Sequence, residues 1–408
     1  MISTGSSVLS TADLVSPHVG IVHRLDDGLV RYDHPRLASV YAQVCDTRAI
    51  FDVAQDARAG GLAASRRDAV LAALGESIER YSACHVPRSR LRVASVADLG
   101  AADVVSPHWR EPSDQRDRVS WVLGTRLAAS AAGQPAWIAA SRVYLSEVDD
   151  LGAVVTPTST GLACHTDPWR ALRSGLLEVI ERDAVMTTWL SRARVRPVDC
   201  ARRWRTPSGR EVRFDRAVER YEVYLLDSPV GVPVAFAVAY GAERQPAAAV
   251  GAAAHLDVAS ACRRALVEAA QTFGLALHLL ARGTTPAKTP AEVRDLDDHV
   301  AYYLPAERVG AFDFLRSSTE PPVDVDLDAA ADDEPERDIR TIVARAGQGG
   351  LPCYAVDVTA PDVRVAGLWA VRAVIPGLYP LIVGGGPPAP HPRLDPTAAV
   401  NPDPHPFP

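Results

Sequence analysis

The sequence predicts a mixed α/β fold in a single large domain. Strand-like stretches rich in β-branched and aromatic residues alternate with three long runs of helical periodicity. The 408 residues, 47% hydrophobic and 23% charged, are enough to bury a sizeable core in a globular protein. The strand candidates lie at 119–123, 136–145, 222–226, 234–240, 353–359 and 368–375. The helical runs cover 66–84, 168–191 and 258–281.

Each helical run carries its own start signal. Ser65 is an expected N-cap with Asp68 three residues on, Asp167 caps a run that opens with Pro168, and Asp257 caps the third. Such side chains satisfy the orphan amides of a first helical turn. Beyond the caps the three runs repeat one pattern. GESIERYSA places Glu76, Glu79 and Arg80; LLEVIERDAV places Glu178, Glu181 and Arg182; LVEAAQTF places Glu268 and Gln271. In every run the first glutamate comes eleven residues after the cap and its polar partner three residues later. Eleven residues are about three turns at 3.6 residues per turn, so the three glutamates share one depth and one azimuth on their helices. Residues three apart share a face, and each helix is expected to project a pair of oxygen ligands in one direction.

Two readings of these pairs compete. One is a helix face braced by ion pairs; the arginine following the second glutamate is expected to point elsewhere, which weakens it. The other is a hard divalent cation with a nucleotide phosphate. Glu178 and Glu181 are interleaved with Leu176, Leu177, Val179, Ile180, Ala184, Val185, Trp189 and Leu190. A helix that is apolar nearly all round is buried, and buried carboxylates need cations. Magnesium commonly joins such carboxylates to phosphates.

Other chemistries find little support. No G-x-x-x-x-G-K-S/T loop occurs, and Lys288 is the only lysine among 43 basic residues, so phosphate contacts must come from arginine, metal or backbone. The six cysteines are scattered, without a C-x-x-C pair. A net charge of −7 offers no field for nucleic acid, and no apolar run or signal pattern suggests a membrane or export, so a cytoplasmic protein is expected. GQGG at 347–350 and GGG at 384–386 read as turns. The stretch 317–337 is acidic and turn-forming, either an excursion within the domain or a hinge. From 384 to 408 there are nine prolines in 25 residues. Composition reads this as an extended or disordered tail, or a ligand for a proline-binding module.

Over nearly its whole length the chain resembles the YcaO superfamily. The family carries an S-x-x-x-E-x-x-E-R helix, an E-x-x-E-R helix and an E-x-x-Q helix. These match Ala72–Glu76–Glu79–Arg80, Glu178–Glu181–Arg182 and Glu268–Gln271, with TSTGLA at 158–163, VRAVIPGLYPL at 371–381 and NPDPHPFP at 401–408 as further text of the family. Two positions depart from it: Gly60 stands where many relatives carry lysine, and Ala72 where they carry serine.

The resemblance implies a glutamate-lined ATP site among repeated β/α units, with residues 1–20 as an extension and 21–408 as one catalytic domain. ATP would be held through two Mg2+ ions among Glu76, Glu79, Glu178, Glu181 and Glu268. Arg80 and Arg182 would contact phosphate or brace the carboxylates, and Gln271 would approach the nucleotide or complete a metal shell. In azoline-forming members the chain commonly ends in P-x-P-x-P and its last residues enter the active site. Pro404, Pro406 and Pro408 match, and the terminal carboxylate of Pro408 becomes a candidate base.

The implied activity is ATP-dependent cyclodehydration of Cys, Ser or Thr in a ribosomally made precursor peptide to thiazoline or oxazoline rings. The alternatives are peptide thioamide or amidine formation, or a catalytically silent scaffold subunit. The implied partners are the precursor peptide, a separate leader-peptide-binding protein resembling ubiquitin-activating proteins, and an FMN-dependent dehydrogenase acting afterwards. Self-association into a homodimer is left open.

Overall fold

The computed structural model describes residues 11–28, 37–51, 58–63, 65–100, 103–105, 118–130, 132–146, 158–200, 204–205, 211–212, 218–242, 246–329, 332–385, 391–395 and 397–407. Three antiparallel-rich sheets and three long helices dominate it. The first sheet is β1 (Val22–Asp27), β2 (Ala38–Val44) and β3 (Arg58–Ala63), in that order. A short α1 (Arg48–Phe51) precedes β3, and α2 (Arg66–Cys84) follows it. The second sheet takes β4 (Leu91–Ala94), β5 (Asp103–Val105), β6 (Val119–Arg126), β7 (Gln134–Ala139) and β8 (Leu162–His165), after which comes α3 (Pro168–Ser191). The third is built from β9 (Arg196–Cys200), with a separate small β10–β11 pair (Trp204–Arg205 and Glu211–Val212) off it, then β12 (Val218–Leu226), β13 (Val234–Gly241) and β14 (Ala248–Ala254), followed by α4 (Val258–Ala281). After α5 (Leu296–Tyr302), β15 (Val323–Val325) completes the third sheet in the order β14-β13-β12-β9-β15. Then α6 (Pro335–Gln348), β16 (Tyr354–Asp357), α7 (Pro361–Val365) and β17 (Trp369–Val374) return to the second sheet, ordered β5-β7-β6-β16-β17-β8 with β4 on β6.

The expected repeat of β/α units is present, and its logic is local. β3, β8 and β14 each lie at the edge of their sheet, and each is joined by two or three residues to the helix that follows. The caps are those read from the sequence. Ser65 Oγ accepts from Asp68 N at 3.1 Å, Asp167 Oδ1 from Trp169 N at 2.7 Å, and Asp257 Oδ2 from Ser260 N at 2.7 Å. Four and eight residues after the cap, each helix buries small residues: Ala69 and Ala73, Ala171 and Gly175, Ala261 and Ala265. They let helix and strand backbones nearly touch. A Cβ on Gly61 would lie 2.0 Å from Ala69 O, and one on Gly251 only 2.2 Å from Ala269 N.

Several expectations need adjustment. The run 136–145 is strand only to Ala139; Ala140, Val143 and Tyr144 are all fully buried at one-turn spacing, so the chain turns as a 3-10 helix there instead of alternating. The acidic stretch 317–337 is part of the domain, because Val323–Val325 pairs in parallel with β9. The described tail residues, 391–395 and 397–407, form no helix or strand, yet they are docked, which excludes the disordered reading for them. Asn401 N donates to Leu190 O at 2.8 Å, Trp189 Nε1 to Asp403 O at 2.9 Å, and the Tyr303 hydroxyl to Pro404 O. His299 and His405 stack at 3.8 Å, and Phe407 is fully buried. Prolines suit this course because they leave fewer backbone amides to satisfy.

The close crossing of β14 and α4 makes a clear prediction. Gly251→Ala forces backbone apart, and overpacking of this kind costs about 1–3 kcal/mol or more. Its thermal midpoint should fall by several degrees; an unchanged midpoint would show that the two backbones have room to spare.

Candidate functional site

The three edge strands bring the repeated glutamates together by one device. An edge strand leaves amides unpaired on its outer side, and here the first glutamate of α2 and of α4 takes one, while that of α3 takes the amide just before its strand. Gly60 N donates to Glu76 Oε2 at 2.9 Å and Ala252 N to Glu268 Oε2 at 2.8 Å; the Gly161 backbone donates to Glu178. Glu181 reaches across to the third unit, accepting from Ala254 N at 3.3 Å. The sequence separations are 16 residues in the first and third units. The equal cap-to-glutamate spacing therefore places each carboxylate over its own strand.

Both arginines turn back on the carboxylates, contrary to the expectation that they point elsewhere. Arg80 Nη2 meets Glu76 Oε1 at 2.6 Å, and Arg182 Nε lies 3.7 Å from Glu178 and 3.8 Å from Glu181. The reason is spacing, since Glu76 to Arg80 and Glu178 to Arg182 are one turn apart. Arg182 is held from its other side by Phe407, whose ring centre lies 4.3 Å from the guanidinium carbon. Pro408 lies outside the described residues.

Two cavities meet at this cluster. One, of about 540 Å³, is lined by Glu76, Glu79, Arg80, Glu178 and Arg182 together with His165. The other, of about 470 Å³, has Glu178, Glu181, Arg264, Glu268 and Gln271 in its wall. Glu178 and Ser174 face both. Gly60 and Ala72 border this region: a Cβ on Gly60 would come within 3.2 Å of Gln271 Nε2, and Ala72 lines the larger cavity.

The electrostatics favour a cation. Burial, reinforced by Glu178 and Glu76, pushes the Glu79 carboxyl well above the usual carboxylate range. Burial and then Glu268 push Glu181 the same way, burial raises Glu178 against the pull of Arg182 and Arg372, and burial brings Glu268 up to about 7. Among the described residues only Arg80 and Arg182 reach ion-pairing distance of these five glutamates. Among the described residues no three of His, Cys, Asp or Glu gather into an all-protein metal cage. Magnesium takes one or two carboxylates and completes its shell with water and phosphate. The residues present fit ATP with Mg2+.

A family model described as YcaO cyclodehydratase, ATP- and Mg2+-binding, matches residues 60–379. The chain belongs to the YcaO family. ATP and Mg2+ are the cofactors that family description carries. An uncharacterized protein of Methanothermobacter thermautotrophicus is 27% identical over 327 residues, 78% of this chain and 80% of its own. The fold is similar to a heterocyclase solved in complex with substrate and cofactor (TM-score 0.67, 19% identity, 90% of this chain and 51% of that one). This chain thus spans about half the length of that heterocyclase. It is also similar to the YcaO protein of Methanopyrus kandleri bound with AMPPCP and Mg2+ (TM-score 0.63, 22% identity, 88% and 86% coverage). Among the described residues no helix is long and apolar enough to cross a membrane.

Sequence reasoning missed several charged residues in and around this YcaO site. Arg372, 4% exposed, sits in the quoted VRAVIPGLYPL segment, and an arginine inside an apolar strand was the available signal. His165 and Arg264, in the cavity walls, carried no pattern of their own.

The raised carboxyls also predict a pH effect. A carboxyl whose folded pKa is raised contributes stability present below its ordinary value of 4.5 and lost as pH rises through about 7, here for Glu268. Without divalent metal, the thermal midpoint should fall between pH 5 and pH 8, less steeply in Glu268→Gln, and added Mg2+ should offset the fall at pH 8. Equal slopes for the variant and the parent would contradict the assignment.

Proposed function

We infer that this YcaO protein uses ATP to activate backbone amides of a ribosomally made peptide, closing Cys, Ser or Thr side chains into thiazoline or oxazoline rings. The observation carrying this reading is the convergence of Glu76, Glu79, Glu178, Glu181 and Glu268 from three equivalent strand–helix units onto adjoining cavities. In the reaction, a side-chain thiol or hydroxyl adds to the preceding carbonyl. The carbonyl oxygen takes the terminal phosphoryl group of ATP, and phosphate leaves as the ring C=N forms, the proton of the thiol or hydroxyl and that of the amide nitrogen passing to base or solvent. ADP and phosphate are the by-products.

The chain's own residues orient and neutralise. The glutamates would hold Mg2+, which when bound offsets the phosphate charge. Edge-strand amides fix Glu76, Glu181 and Glu268 in direction, so little reorganisation remains when the nucleotide arrives. Arg80 and Arg182 balance charge among the carboxylates, with Phe407 keeping Arg182 in place. Gln271, beside Glu268 on the cavity wall, is positioned for the nucleotide. The precursor peptide is the substrate, and a separate peptide-recognising protein is the partner we assign.

A second reading, a silent scaffold, draws on Gly60 and Ala72, where the family's lysine and serine side chains are missing. Thioamide or amidine formation would use the same activation with an external nucleophile. With precursor peptide and recognition partner, Glu178→Gln and Glu181→Gln should each cut peptide-dependent ADP release by about 100-fold or more, the range for lost electrostatic stabilisation. Both variants should stay soluble. Mass spectrometry of the peptide should show loss of one water per ring. Near-parental ADP release in both variants, or a sulfur gain in place of water loss, would defeat the cyclodehydratase reading.

A further inference from the structure

Beside the two glutamate-lined cavities lies a third, much smaller one of about 70 Å³. Its polar wall is Ser141, Arg142, Thr158, Thr160 and Arg372. The TSTG segment separates it from the carboxylate cavity: Ser159 lines the larger space, while Thr158 and Thr160, on either side of it, line the smaller.

Arg372 defines this cavity. It projects from β17, paired with Leu162 of β8 on one side and Val356 of β16 on the other, and is 4% exposed. Nε donates to Arg142 O at 3.0 Å and Nη2 to Thr158 O at 2.7 Å, which leaves Nη1 buried without a hydrogen-bond partner among the described residues. No carboxylate among them lies within ion-pairing distance, although Glu178 and Glu79 act on it from farther away. Arg142 adds a second cation, and burial brings each guanidinium down to about 10. One buried guanidinium with an open donor, beside a half-buried second one and three hydroxyls, is opposite in charge to the neighbouring glutamate site. Such a cradle is suited to an anion, since an unmade bond to a buried charge is costly. Its volume has room for a tetrahedral oxyanion in place of a few waters.

We propose that this cavity is a phosphate-binding pocket, separate from the carboxylate-lined cavities, in which Arg372, Arg142 and the Thr158 and Thr160 hydroxyls take a phosphate group. The phosphate would be either the inorganic phosphate released beside it or the terminal phosphate of a bound nucleotide. Only this choice of source rests on the proposed ATP chemistry; the pocket's affinity for phosphate does not. The experiment uses the full chain without nucleotide or Mg2+, titrated with inorganic phosphate by calorimetry and 31P NMR. Saturable binding is expected, weakened roughly ten- to hundredfold in Arg142→Gln and Thr160→Val. Glu320→Gln, an exposed substitution outside every cavity described, should bind phosphate as the parent does. Arg372→Gln risks the fold because it ties β17 to two loops, so the other two variants carry the test, with circular dichroism confirming that they are folded. Repeating the titration with a non-hydrolysable ATP analogue and Mg2+ separates the sources. Competition assigns the terminal phosphate, and simultaneous binding assigns released phosphate. Absence of saturable phosphate binding by the parent, or equal binding by folded Arg142→Gln and Thr160→Val, overturns the proposal.

Discussion

The structure is organised around the cost of gathering carboxylates away from bulk water. Glutamates from three helices meet half-buried, where their charges repel, and nearby elements offset part of that cost. Edge-strand amides donate to Glu76, Glu181 and Glu268, and Arg80 and Arg182 close on Glu76, Glu178 and Glu181. What remains is an unmet demand for positive charge, which a nucleotide's magnesium is suited to supply. Charge is what draws these cavities into one site; an apolar binding pocket would have been cheaper to build.

This constraint also explains why the fold uses edge strands at all. A central strand spends its amides on both neighbours, whereas β3, β8 and β14 keep one side free. An exposed edge is normally an aggregation liability, and here the following helix covers it and puts its amides to use. The tail adds a further layer. Asp183, fully buried two residues after Glu181, accepts from Tyr379 N at 2.8 Å and pairs with Arg393 at 3.0 Å, so the segment after β17 is anchored to the same helix that carries two of the glutamates. Phe407 then arrives against Arg182. The family membership, the fold and the carboxylate geometry thus point the same way.

Much of this was legible in the sequence because it is encoded locally. The caps at Ser65, Asp167 and Asp257, and the spacing of eleven residues to each glutamate, depend only on helical geometry, and α3 and α4 begin and end where their periodicity does. Partners distant in sequence were not legible. Nothing about Gly60 or Ala252 announces an amide that will meet a carboxylate, and Arg372 acquires its meaning from Thr158 and Arg142, more than 200 residues earlier. The direction of Arg80 and Arg182 was misjudged by attending to the neighbouring glutamate, one residue back, and not to the one a full turn away. The tail's composition suggested disorder, while its docking depends on Trp189, His299 and Tyr303, which no compositional measure weighs.

The central claim is that the glutamate cluster binds a nucleotide through magnesium. Calorimetric titration of the full chain at pH 8 with a non-hydrolysable ATP analogue, with and without Mg2+, tests it most directly. The account predicts saturable binding that requires Mg2+ and is lost in Glu181→Gln, whose fold should be kept by its amide contact to β14. Binding of the same strength without Mg2+, or undiminished in Glu181→Gln, would contradict it.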